Sequence, residues 1–127
     1  MKNYKKYILL PGLPEEVYLA LTKPQSIQLW TGATVEFTEQ PGTEFSLWDG
    51  DISGRNIEFE PPKKIVQQWY FGEENEPSMV TIKLHPDKKG TSLEFTQTNI
   101  PDEDYYDFTS GIEEYYLGGL MDFFEEE

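Results

Sequence analysis

The spacing of apolar residues changes character along this chain, and the changes divide it into elements. "YKKYILL" (Tyr4–Leu10) is dense in β-forming side chains and runs into "PGLP", so it reads as a first strand closed by a turn. Helical spacing then takes over: Val17, Ala20 and Leu21 share one face, behind Pro14 at a first helical position and two acids, Glu15 and Glu16, where the helix dipole favours negative charge. Pro24 resets the chain, and "KPQSIQLW" gives a second short helix ending at Trp30.

After Thr31-Gly32 the period falls to two. Val35 and Phe37 alternate with polar residues, and Phe45 and Leu47 do so again after "QPGTE". Asp49-Gly50 is the strongest hairpin signal in the chain, because both residues tolerate the positive φ of a type I′ turn. The returning strand changes phase between Ile52 and the pair Ile57 and Phe59, which predicts a β-bulge near Gly54-Arg55. "PPKK" turns the chain again, since neither proline can donate to a ladder. Three more alternating runs follow: Ile65, Gln67 and Trp69; Val80, Ile82 and Leu84 beyond the polar "GEENEP"; and Leu93, Phe95 and Gln97 beyond "PDKKG". One strand before the helices and six after them, joined by short turns, predict an antiparallel meander in an α+β fold with helices over one sheet face.

The last quarter is helical. "DEDYYDF" after Pro101 predicts a short helix, and Ser110 to Glu113 has the spacing of a capping box. Ile112, Tyr115, Tyr116, Leu120 and Phe123 then recur every three or four residues. Gly118-Gly119 interrupts that pattern, either for a close approach of the helix to the sheet or for a bend.

Composition narrows the function classes. At 127 residues the chain is read as one domain (1–127) with one core and no need of staples. Without cysteine there is no thiol nucleophile, no disulfide and no Cys-containing zinc site. The formal net charge is −14, and every Lys and Arg lies at or before Lys89 while the acids continue to the end. Such a field repels phosphate backbones and anionic membranes, so neither nucleic acid nor membrane is expected as a partner. The opening residues have too short an apolar run for a secretory signal, which leads to the expectation of a cytoplasmic protein.

Candidate chemistry is sparse. The one histidine, His85, sits between Leu84 and Pro86 at a strand end with no ligand-like neighbours in sequence, and no nucleophile elbow, phosphate loop or dinucleotide fingerprint is present. No catalytic residue, metal ligand or cofactor is assigned. Arg55 is read as exposed or paired with Glu58 or Glu44, and Trp48 as either a sheet-packing residue or an exposed contact. The informative feature is polar residues in apolar phase. Gln67 lies between Ile65 and Trp69, and Gln97 follows Leu93 and Phe95. Facing inward, each amide needs a partner or a partly wet cavity. The candidate cavity lining is therefore Trp30, Gln67, Trp69, Phe95, Gln97, Tyr115, Tyr116 and Leu120.

The segments "LTKPQSIQLWTGA", "PGTEFSLWDGDISGRNIEFEPPKKIVQQW", "VTIKLHPDKKGTSLEFTQTNIP" and "SGIEEYYLGGL" resemble, in order, the activator of Hsp90 ATPase homologue 1-like family of the Bet v 1/START-like superfamily. The resemblance runs from about Leu10 to Phe124. It implies a helix-grip fold: a curved antiparallel sheet of six or seven strands around a long C-terminal helix, with two short helices. Three positions depart from the family's habit: Tyr70 stands where Arg is usual, Gly111-Ile112 where Gly-Trp is frequent, and the loop after "QQWYF" lacks Trp-Pro. Function is then expected to be a non-catalytic, stress-related binding module holding a hydrophobic or amphipathic small molecule or lipid between sheet and helix, with Gln67 or Gln97 orienting a polar end. Two alternatives stay open: a chaperone-interaction domain acting through its surface, and a superfamily hydrolase or cyclase with acid–base groups in the cavity.

Overall fold

A computed structural model describes residues 1–72 and 76–125. Part of the "GEENEP" loop and the last two glutamates lie outside the described residues. The element order is β1 (Lys2–Leu10), α1 (Pro14–Thr22), α2 (Pro24–Thr31), β2 (Glu44–Leu47), β3 (Ile52–Glu60), β4 (Lys64–Trp69), β5 (Ser78–Asp87), β6 (Gly90–Ile100), α3 (Tyr105–Gly111), a π-helical stretch Ile112–Leu117 and α4 (Gly118–Glu125). The strands form one antiparallel sheet in the order β1-β6-β5-β4-β3-β2, so each consecutive pair from β2 to β6 is a meander and β1 closes against β6. This is the α+β helix-grip architecture, a curved six-stranded sheet holding a long C-terminal helix. No helix among the described residues is long and apolar enough to cross a membrane.

The inner face of the sheet and the helices close over one core. Ile65 and Trp69, Val80, Ile82 and Leu84, and Leu93 and Phe95 all point inward from adjacent strands. Each such side chain contributes roughly 1.5–3 kcal/mol by leaving water. From the C-terminal helix, Ile112, Tyr116, Leu120 and Phe124 recur at four-residue steps and meet this face. α1 adds Val17 and Leu21, and α2 adds Ile27 and Trp30, whose indole N–H donates to the Ala20 carbonyl at 2.8 Å and locks the two short helices together.

Four sequence expectations change. The Val35–Phe37 stretch is no strand: only Glu36 bridges to Ser46, which leaves six strands. The β3 bulge lies at Ile57, where the β4 register slips between Asn56 and Glu58, whereas Gly54 and Arg55 pair regularly with both neighbours. Gly54 is there for closeness, because a Cβ would lie 1.8 Å from the Gln68 carbonyl oxygen. The phase change is explained by Asn56, which is buried and keeps its inward position before the extra residue. Ser110–Glu113 forms no cap: α3 passes without a break into the π-helical stretch, and the Glu113 carboxylate instead accepts the Tyr4 hydroxyl at 2.6 Å. A further bulge that the alternation did not announce sits in β6 at Asn99, at φ 62°.

Gly118-Gly119 marks a close approach, and the neighbour is α2 rather than the sheet. A Cβ on Gly119 would stand 2.9 Å from the Trp30 carbonyl oxygen. The Gly118 N–H reaches back to the Glu113 carbonyl, five residues earlier, which closes the π-helical stretch.

Candidate functional site

A solvent-open cleft of about 540 Å³ lies where the β2–β3 hairpin, the end of α2 and the C-terminal helix converge. The hairpin wall carries Trp48, Asp51 and Ile52, and Thr31 closes one side. The helix wall carries Asp107, Phe108, Gly111, Ile112, Tyr115 and Tyr116, so the π-helical stretch begins within it. π-bulges occur often at functional positions because the extra residue re-aims the side chains around it.

The hairpin wall is held in an unusual backbone state. The loop joining Leu47 to Ile52 has Trp48 at φ 51°, Asp49 at φ 54° and Gly50 at φ 99°. Asp49-Gly50 thus adopts the left-handed turn its composition favours, closed by the Asp51 N–H on the Trp48 carbonyl at 3.2 Å. Trp48 itself is a bulky residue in that region, which costs about 1–3 kcal/mol. Two contacts offset the cost. Its indole N–H donates to the Thr31 carbonyl at 3.0 Å, and its ring meets Trp30 edge-on with centroids 6.1 Å apart.

Tyr116 forms the floor. Its ring lies 5.0 Å from Trp30, 5.5 Å from Trp69 and 5.8 Å from Phe95, centroid to centroid. The residue is 4% exposed, and its hydroxyl has no hydrogen-bond partner among the described residues. Burial pushes its ionisation well above the ordinary phenol range, so the group is a neutral hydroxyl at physiological pH.

The residues expected to line a cavity divide sharply. Tyr115 and Tyr116 are on the cleft, Tyr115 being exposed. Trp30, Trp69, Phe95 and Leu120 are packed in the core around Tyr116, and aromatic rings fill the space between sheet and helix. Gln67 is buried and fully engaged: its amide nitrogen donates to Asn56 Oδ1 at 2.9 Å, and its oxygen accepts the Trp69 indole N–H at 2.8 Å. Asn56 in turn donates to the Thr38 carbonyl and to Thr43 Oγ1. Gln97, two strands away in the same inward row, is completely buried, and neither its oxygen nor its nitrogen has a partner.

Sequence reasoning left Trp48 undecided and did not select Asp51, Ile52, Asp107 or Phe108 as lining. These residues come from segments about 55 positions apart, and only the crossing of hairpin and helix brings them together. The Asp49-Gly50 turn was the one local sign that Trp48 would be fixed at a sheet corner. Gly111-Ile112, singled out as a departure from the family's habit, does lie on the cleft; isoleucine there occupies less space than the tryptophan frequent at that position.

Other sequence candidates are surface features. Arg55 is exposed on β3 opposite Glu44, and Glu58 pairs with Lys64 at 2.8 Å instead. His85 Nε2 lies 3.0 Å from a Glu94 carboxylate oxygen. Among the described residues, no group of three or more His, Asp or Glu side chains could hold a metal ion.

The fold places the molecule among helix-grip proteins, and the sequence specifies which. The family described as "Activator of Hsp90 ATPase homolog 1-like protein" matches residues 13–125, and the chain belongs to it. The human "Activator of 90 kDa heat shock protein ATPase homolog 1" is 32% identical over 113 residues, 87% of this chain and 33% of that protein. The chain thus spans about a third of the length of the curated relatives it matches. Among solved structures, an Hsp90 activator from Plasmodium falciparum has 26% identity and a TM-score of 0.71, with 91% of this chain and 96% of that one covered. The Aha1 dimer from Colwellia psychrerythraea has a TM-score of 0.81 at 19% identity, over 98% and 95% of the two chains, and shares the fold.

Proposed function

We propose that this protein is a non-catalytic binding module whose cleft between the hairpin 47–52 and the C-terminal helix holds a hydrophobic or amphipathic small molecule. One observation carries the reading: Trp48 is held in a strained backbone beside an apolar cleft whose floor, Tyr116, offers an unpartnered hydroxyl. Strain of this kind persists where the surroundings fix a side chain in place, as a binding wall requires. An apolar group would lie against Ile52, Phe108 and Ile112, with Tyr116 supplying the polar contact. Gln67 has no free hydrogen-bonding capacity of obvious use, so the polar anchor expected of the glutamines passes to Tyr116, with Gln97 reached only if the core opens. The same reading takes residues 1–127 as one cytoplasmic domain without a cofactor.

A second reading draws on the relatives' names: contact with an Hsp90-type chaperone through the surface, where the acidic helix 105–125 would meet a basic partner. The acid–base alternative has less support, since the two carboxylates on the cleft are exposed at its rim.

Native mass spectrometry of protein purified without denaturation tests the first reading. Added mass is expected on the wild type and not on Ile112→Trp, which refills the cleft. Wild-type protein that carries no added mass and takes up no decyl amphipath, whether neutral, cationic or anionic, would overturn the proposal.

A further inference from the structure

We infer that the molecule this cleft selects is an amphipathic cation, an amine or quaternary ammonium with an apolar body. The inference rests on the cleft being the binding site and adds the charge of its occupant.

The cleft carries two carboxylates and no base: Asp51 on the hairpin wall faces a space shared with Asp107 on the helix wall. Neither takes part in an ion pair or a side-chain hydrogen bond among the described residues. Most acids of this chain have no ion pair among the described residues, and five have found cations. Glu58 and Glu60 share Lys64, Glu39 meets Lys23, Glu94 meets Lys5 and His85, and Asp102 takes the N-terminal ammonium at 2.9 Å. An occupant that brings a positive charge is attracted by both carboxylates.

The rest of the lining suits the same occupant. Trp48, Phe108, Tyr115 and Tyr116 bring four aromatic rings to one cleft. Their faces attract a cation through the ring quadrupole, more strongly when it is stripped of water. Ile52 and Ile112 provide aliphatic surface for the body of the ligand. Tyr116 is 4% exposed as a residue, and its unpartnered hydroxyl, open to the cleft, can accept an N–H from an amine's ammonium, whereas a quaternary head would rely on the rings. An anionic amphipath would meet two carboxylates and no compensating base. A neutral one would leave both carboxylates as they are.

A matched series with one alkyl chain and three head groups tests this: decyltrimethylammonium, decanol and decanoate, titrated calorimetrically at about 0.15 M salt so that the long-range attraction of the chain's net charge is screened. The cation should bind at least about tenfold more tightly than decanol, and decanoate most weakly. Asp51→Asn/Asp107→Asn should bring the cation down to the affinity of decanol, while Asp122→Asn/Glu125→Gln, which removes two acids from outside the cleft, should keep the preference. Equal affinity for cation and decanol, tight decanoate binding, or a preference that survives loss of both cleft carboxylates would overturn the inference and leave the binding module intact. Failure of all three probes to bind would instead overturn the binding reading itself.

Discussion

Two clefts of nearly equal size sit at opposite ends of β3, and they differ in what lines them, aromatic rings in one and charged side chains in the other. The first, about 540 Å³, begins at Ile52 and is aromatic, with two exposed carboxylates and the Tyr116 hydroxyl, which has no partner among the described residues. The second, about 550 Å³, surrounds the other end of the strand with Pro14, Glu60, Pro62, Lys64 and His85 among its lining. Its lining is charged rather than aromatic and is paired only in part: Glu15, Lys63 and Lys83 have no ion pair among the described residues. Lys64 bridges Glu58 and Glu60, and His85 Nε2 donates to the Glu94 carboxylate, which that contact holds below its ordinary range. A recess of this volume is therefore not by itself a site. The aromatic surface of the first cleft, with a hydroxyl and two carboxylates at hand, is what a ligand with an apolar body could use.

A contrast of another kind runs through the inward polar row of the sheet. Gln67 completes a chain from Trp69 through Asn56 to Thr38 and Thr43, while Gln97 leaves two amide atoms sealed without partners. Identical side chains in one row thus have opposite energetic signs. The satisfied amide specifies how β3 and β4 register, and the orphaned one is a cost that the surrounding core must absorb.

The largest effect should come from the cleft floor. Tyr116→Ala removes the ring that joins Trp30, Trp48, Trp69 and Phe95, and should cost about 3–5 kcal/mol in chemical denaturation. Tyr116→Phe keeps the ring and loses no internal hydrogen bond, so its stability should stay within about 0.5 kcal/mol of wild type. A large loss in Tyr116→Phe would show that the hydroxyl is already satisfied and would remove it from what the first cleft offers a ligand.

Smaller but opposite shifts are expected along the polar row. Gln97→Met replaces an unpaired amide with a flexible apolar chain of similar length and should stabilise by about 1–2 kcal/mol. Gln67→Met strands the Trp69 indole N–H and the Asn56 carbonyl, and should destabilise by about 1–3 kcal/mol. Urea titrations of both variants under one condition decide the matter; two changes of the same sign would break the comparison.

Much of the architecture was legible because alternation and turn chemistry are local. The runs around Ile65, Val80 and Leu93 gave three central strands, and Asp49-Gly50 gave the left-handed hairpin turn. Where local signals failed, a tertiary constraint had overridden them. Val35 and Phe37 alternate like a strand, yet β2 beside them is only four residues long and pairs with that stretch at a single bridge. Ser110 and Glu113 fit a capping box, yet the helix had already started at Tyr105. The cleft was less legible than the fold. Inward phase correctly marked Trp30, Trp69 and Phe95 as interior, but phase cannot tell a filled interior from an open one, and aromatic rings fill this one. The open space formed at the mouth, from Asp51 and Asp107, whose sequence neighbourhoods look like ordinary solvated turns and helix starts.

The most direct test of where binding occurs is an isotope-edited NMR measurement on the wild-type protein with the tightest-binding of the three alkyl probes. Intermolecular nuclear Overhauser contacts should connect the alkyl chain to Trp48, Ile112 and Tyr115, with none to Lys64 or Pro86 at the other end of β3. Contacts confined to that second cleft, or scattered over exposed leucines such as Leu13 and Leu29, would contradict the assignment of the aromatic cleft as the binding site.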